Sequence, residues 1–188
     1  LCTASGLVPS TELARLIGCE VREGQVVVDD HQRTSVPSCY AAGEPTGNTG
    51  MEAALVEGTI GGLAAAGQGG SGAAGRLKAE REGHRRFAAR AAAAFRLRPE
   101  LRERVEPDTI VCRCEDVPMS AIRHGWSGRQ AKLATRAGMG SCQGRTCGAA
   151  LEYLVGMARD TVRTPLAPTS IGVLADLASH LDESQGAS

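Results

Sequence analysis

Ile110-Val111-Cys112-Arg113-Cys114-Glu115-Asp116-Val117 and Arg136-Ala137-Gly138-Met139-Gly140-Ser141-Cys142-Gln143-Gly144-Arg145-Thr146-Cys147-Gly148 hold four of the seven cysteines of this 188-residue chain. They form a C-x-C pair and a C-x4-C pair on either side of a short helical segment. Thiolates gathered in two tight pairs can close one tetrahedral thiolate site, and soft sulfur donors select zinc or an iron–sulfur cluster. Spacing alone leaves both open. Zinc sites favour C-x2-C knuckles. A C-x-C pair is a tight fit for that geometry, and Gln-Gly-Arg inside a C-x4-C loop is atypical of it.

Working outward, the composition narrows the class. Formal net charge is zero and aromatic residues are 3% of the chain, so neither a nucleic-acid partner nor a base-stacking platform is indicated. No apolar run is long enough to span a bilayer. The odd cysteine count and the central clustering favour a metal site in a reducing compartment over a disulfide framework, and so a cytoplasmic location is expected. The chain begins with Leu1, which suggests that residues precede it. Cys2, Cys19 and Cys39 have no paired spacing and read as small buried hydrophobes. His124 lies within the cysteine segment but is not needed as a ligand beside four thiols.

Upstream, Thr11–Ile17 reads as a short amphipathic helix with Ser10 as N-cap and Gly18 as its stop. Gln25–Val28 and Cys39–Ala42 read as strands. The second ends at Gly43 with Glu44 immediately after, and a helix is expected from Gly50 to Ala66. A strand, a glycine turn and a helix N-terminus make a place for a polar or anionic ligand group. The run Gly67–Gly72 breaks the chain before a charged helix at 74–96, whose charges read as a solvated face with Ala and Phe packed inward. Near the cysteines, Val117–Arg123 reads as a helix with Asp116 as N-cap, and Arg145–Ala158 as a second. Their N-termini, the glycines Gly138, Gly140 and Gly144, and Arg113, Arg136 and Arg145 would offset the charge of a buried anionic cluster.

Two strings resemble a known family. Cys-Arg-Cys-Glu at 112–115 with Gly-Met-Gly-Ser-Cys-Gln-Gly-Arg-Thr-Cys at 138–147 resembles the 2Fe–2S domain of the bacterioferritin-associated-ferredoxin type, in the version fused to the flavin subunit of opine oxidases, hydrogen cyanide synthases and heterotetrameric amine oxidoreductases. Ser-Cys-Tyr-Ala-Ala-Gly-Glu at 38–44, with Gly-Asn-Thr-Gly-Met-Glu at 47–52, resembles the second flavin motif of two-dinucleotide-domain flavoproteins. The resemblance implies Cys112, Cys114, Cys142 and Cys147 as cluster ligands. It implies Glu44 as acceptor for the ribityl chain of FAD, Gly43 as the turn, and Thr49, Gly50 and Met51 beside the flavin ring. The stretch Ile122–Lys132 is shorter than the family's usual spacing, and Arg163–Pro168 with Ile171–Ala175 is similar to its proline-containing tail.

The expected architecture is therefore an α/β fragment of a two-dinucleotide-domain flavoprotein followed by a small all-α 2Fe–2S-binding domain. Residues 1–66 would close the FAD-binding domain, 67–107 form a glycine-rich breaker and charged linker helix, 108–158 the cluster domain, and 159–188 a tail. No G-x-G-x-x-G fingerprint follows a strand, so the ADP half of FAD would be bound upstream, and this chain alone would hold a cluster without FAD. The function implied is that of an electron-relay subunit of an amine, opine or amino-acid oxidoreductase. It would work with a substrate-oxidising flavin subunit on a small-molecule amine or amino-acid derivative. The rivals are a stand-alone 2Fe–2S carrier and a zinc-stapled interaction domain.

Overall fold

The computed structural model describes residues 6–159 and 162–177; Cys2 lies outside them. The chain divides into two compact units, Leu1–Glu106 and Pro107–Ser188.

In the first unit, helix α1 (Glu12–Leu16) stops where Gly18 takes φ of +85°. Thr11, not Ser10, stands at its N-cap, because the Ser10 hydroxyl donates to the Glu12 carboxylate (2.8 Å). Strands β1 (Val21–Arg22) and β2 (Gln25–Val26) form an antiparallel hairpin with Val21 opposite Val26. Its two turn residues, Glu23 and Gly24, both have positive φ, the geometry whose twist matches paired strands. The expected strand Gln25–Val28 is thus cut to two residues. The expected strand Cys39–Ala42 is absent. Its groups turn back on the preceding loop: Thr34 N–H donates to Cys39 O, Ala41 N–H to Gln32 O, and Arg33 bridges Tyr40. An extended segment becomes a strand only beside a ladder partner, and here that partner is the chain's own adjoining loop.

Helix α2 (Met51–Ala65) buries Ala53, Val56, Ile60 and Ala64 on one face. Those residues recur at helical spacing, which is why the helix is stable once that face is covered. Gly67 turns the chain, and α3 (Gly72–Ala94), capped by the Ser71 hydroxyl on Ala74 N–H, packs against α2. The run Gly67–Gly72 spells G-x-G-x-x-G but joins two helices, so it lacks the strand that the dinucleotide fold requires. The inward face of α3 differs from expectation. Arg81 is buried, its guanidinium bonded to Asp30 and to the buried Gln32 side chain, whereas Phe87 and Phe95 are 71% and 86% exposed. Alanine-rich turns give α3 little apolar volume to bury, and the long arginine stems reach polar partners on the facing loop instead.

The second unit is not all-α. Strand β3 (Ile110–Cys112) pairs antiparallel with β4 (Val117–Pro118), and a single 3-10 turn follows at Met119–Ala121. This replaces the expected helix Val117–Arg123. Asp116 is left-handed (φ +49°) and cannot act as its N-cap. Pro118 also disfavours helical geometry at Val117, which therefore extends into the ladder. Helix α4 (Gly128–Thr135) opens on a capping box between Ser127 and Gln130. Helix α5 (Cys147–Val155) begins two residues later than expected and ends at Gly156, φ +71°. Cys112, Val117, Ile122, Ala131, Cys147, Leu151 and Met157 form the core, with Trp126 packed against it. Among the described tail residues, 171–177 is helical and exposed.

Candidate functional site

The cysteine segment is carried on three supports. Cys112 closes β3, Cys114 sits in the hairpin turn, Cys142 lies in the loop after α4, and Cys147 is the first residue of α5. The sulfurs meet across the two pairs: Cys147 lies beside Cys112, and Cys142 beside Cys114. The Thr146 and Gly144 N–H groups donate to Cys142 and bring its thiol down to about 7. Burial, then the neighbouring Cys112, pushes Cys147 up to about 12. Gly140 must lack a side chain, since a Cβ there would stand 2.2 Å from Cys114 Cβ; at Gly138 it would stand 3.9 Å from Cys147 Sγ. Arg136 donates to Glu115 (2.7 Å) and so ties the second cysteine loop to the first, while Arg145 bonds Leu166 O. His124 is exposed.

Among the described residues no group of three or more His, Cys, Asp or Glu is drawn together closely enough to hold a metal ion. The thiols meet two by two, and the charge of Cys142 also reaches Cys147. The donor set is nevertheless four sulfurs on one small unit, with backbone N–H groups already directed at one of them and glycines leaving room at two. That chemistry fits a thiolate-held cluster.

In the first unit a cleft of about 500 Å³ is lined by Glu44, Thr49, Gly50 and Met51, with Phe87 and Ala91 of α3 facing them. Four of the five residues singled out as flavin contacts therefore share one cavity. The fifth, Gly43, stands behind it with φ of +77°, and a Cβ there would meet Ala54 Cβ at 3.2 Å. Glu44 opens a 3-10 turn, Glu44–Thr46, and is exposed. No side chain caps the first N–H groups of α2, which begins at the cleft. Thr49 Oγ1 is buried and has no partner.

The residue that sequence reasoning missed is Glu57. Its carboxylate is 1% exposed. It accepts from Gly43 N–H (2.9 Å), from the Thr46 hydroxyl (2.9 Å) and from Arg85 of α3 (3.1 Å). It thus fixes both ends of the Gly43–Thr46 turn that presents Glu44. The signal was available: Glu57 occupies the Ala53–Ile60–Ala64 stripe, where a solvated carboxylate has no place.

Residues 1–70 match the family model described as pyridine nucleotide-disulphide oxidoreductase, which fits an α/β flavoprotein fragment. Relatives extend the likeness into the second unit. An opine oxidase subunit of Rhizobium meliloti is 33% identical over 199 residues, covering 92% of this chain and 38% of that protein. The corresponding opine oxidase subunit of Agrobacterium tumefaciens (strain Ach5) is 32% identical, covering 92% and 40% respectively. Hydrogen cyanide synthase subunit HcnB of Pseudomonas aeruginosa is 32% identical over 164 residues, covering 78% and 35%. Together these matches support the flavoprotein oxidoreductase family. The chain spans about two fifths of the length of these relatives. A match over 92% of 188 residues can omit only the ends, so it takes in both the cleft and the cysteine segment. No solved structure matches the chain.

Proposed function

We propose that this chain is the flavin-cleft and electron-relay portion of a multi-subunit FAD-dependent oxidoreductase that oxidises the C–N bond of an amine, opine or amino-acid derivative. The observation that carries the reading is the coexistence, on one chain, of a cleft gathering Glu44, Thr49, Gly50 and Met51 and of four cysteines meeting pairwise. The relatives are named as subunits, which supports a hetero-oligomer, and we assign substrate oxidation to the partner subunit. Among the described residues no helix is long and apolar enough to cross a membrane, and a cytoplasmic site of action accords with unpaired thiols.

Bound in these places, FAD would supply two-electron oxidation and a 2Fe–2S cluster one-electron transfer. The chain's own residues hold and tune. Glu44, oriented by the turn that Glu57 anchors, would accept hydrogen bonds from ribityl hydroxyls. The uncapped start of α2 would offer N–H groups to the flavin. Cys112, Cys114, Cys142 and Cys147 would ligate the iron, and the Thr146 and Gly144 N–H groups would stabilise sulfur charge. Since no phosphate fingerprint follows a strand here, the ADP half of FAD is assigned to residues outside this chain.

The test is one set of spectra on the complete subunit that carries this chain. Wild type should show flavin and about two irons per chain, with visible bands that dithionite bleaches. Glu44→Ala should lose flavin and keep iron, and Cys147→Ser the reverse. A colourless protein holding zinc would establish the interaction-domain alternative. Iron without flavin in the complete subunit would establish the stand-alone carrier.

A further inference from the structure

Outside both candidate sites the first unit holds a second pair of thiols. Cys19 follows α1 and is 7% exposed, its N–H bonded to Ala14 O at 2.8 Å. Cys39 lies in the loop that leads to Gly43 and is half-buried. Their sulfurs are 3.9 Å apart although twenty residues separate them. Neither lines the cleft, and neither belongs to the C-x-C or C-x4-C pair. We propose that Cys19 and Cys39 form a thiol–disulfide exchange site, open to low-molecular-weight disulfides and closing to an intramolecular disulfide.

The geometry assigns the roles. A disulfide bond is about 2.05 Å long, so the sulfurs must approach by roughly 2 Å, a distance that side-chain rotation spans when two thiols already touch. Cys39 is the more accessible and attacks first. Its position is set by a tight turn, with Cys39 N–H on Val36 O and Ser38 held at φ +60°. The Cys39 thiolate displaces one glutathione thiolate from oxidised glutathione, leaving a mixed disulfide. Cys19, with its sulfur against that of Cys39, then attacks the Cys39 sulfur and releases the second glutathione. One protein dithiol is oxidised, one glutathione disulfide is reduced to two thiols, and the two protein thiol protons pass to them. The product ties the end of α1 to the 32–41 loop, whose carbonyl at Cys39 is already held by the Thr34 N–H and hydroxyl. Oxidation therefore stiffens the approach to Gly43 without engaging the cleft residues.

The experiment treats the reduced protein with oxidised glutathione, quenches with acid, digests with trypsin and maps the peptides by mass. Peptide 16–22 carries Cys19 and peptide 34–76 carries Cys39, because arginines bound both. In wild type the two peptides should be recovered mostly as one cross-linked species that dithiothreitol separates. In Cys19→Ser, Cys39 should retain glutathione; in Cys39→Ser, Cys19 should remain free because it is buried. Circular dichroism on each variant confirms that α2 and α3 persist. Glutathione stably held on Cys39 in wild type, or a pair left unmodified while other thiols of the protein react, overturns the proposal.

Discussion

Replacing Glu57 by glutamine keeps the side chain's size and removes its charge. In the folded chain that carboxylate serves three donors: Gly43 N–H, the Thr46 hydroxyl and Arg85. Glutamine can still accept from one or two of them, but its NH2 group must face a donor. Removing one partner of a buried ion pair costs about 3–5 kcal/mol. Arg85 is 33% exposed, so it can turn partly to water, and we expect about 2 kcal/mol instead. Far-UV circular dichroism suits the measurement, since α2 and α3 are the longest helices described and both lie in the first unit. With a slope near 2 kcal/mol per molar urea, the midpoint should fall by about 1 M at unchanged slope.

Arg85→Ala should cost at least as much, because it strands a carboxylate that is 1% exposed. The double variant should lose about 1 kcal/mol or more less than the sum of the two, the mark of a direct pair. Glu57→Gln with an unmoved midpoint would show that the carboxylate does not anchor the Gly43–Thr46 turn, and strictly additive losses would show that Glu57 and Arg85 are not a direct pair.

Gly140→Ala should displace Cys114 by overpacking, costing about 1–3 kcal/mol and lowering iron content, whereas Gly70→Ala, in open space, should change neither; iron assay with thermal melting checks both. In iron-free reduced protein, Cys142 alkylation by iodoacetamide should rise through pH about 7 and level off above it, because its lowered value makes the reactive thiolate dominant early. Cys147, pushed up to about 12, should stay unlabelled at pH about 9, and equal labelling of the two on peptide mapping would contradict these environments.

What could be read in advance followed from local rules. The span of α2 and the stop at Gly18 need only helical spacing and a glycine, and both were legible. That the C-x-C and C-x4-C thiols would approach each other was legible from their paired spacing. The errors arose where long-range partners decide. Cys39–Ala42 has strand composition, but its backbone groups found the loop at Gln32–Thr34 instead of a neighbouring strand. Phe87 looked like the inward face of α3, and the polar groups of Asp30 and Gln32 drew Arg81 inward instead. Two misses had local signals that went unused: Pro118 argues against a helix through Val117, and Ser127-x-x-Gln130 announces α4. Even the closeness of Cys19 to Cys39 depends on how α1 and the 32–41 loop fold back, which no spacing rule encodes.

The second unit makes one further commitment. Its core is small, and two of its most buried members, Cys112 and Cys147, are proposed ligands standing at the end of β3 and the start of α5. Iron bound there would join the hairpin to α5 through the centre of the core. A core built otherwise from Val, Ile, Ala, Leu and Met in so short a segment supplies little stability alone, and metal binding then contributes folding free energy directly. Removing iron under reducing conditions should therefore loosen this unit and leave the first intact. Trp126, the only tryptophan of the chain, packs on that core with Arg123 over its ring at 5.5 Å, so it reports on this unit alone. The position of its emission maximum is the proper readout, because an iron–sulfur chromophore also changes intensity. We expect a shift to longer wavelength on iron removal, reversed by reconstitution, while helical circular dichroism from α2 and α3 persists. An emission maximum that stays put after complete iron loss would mean that the apolar contacts hold the unit without the cluster, and the proposed coupling between ligation and fold would be refuted.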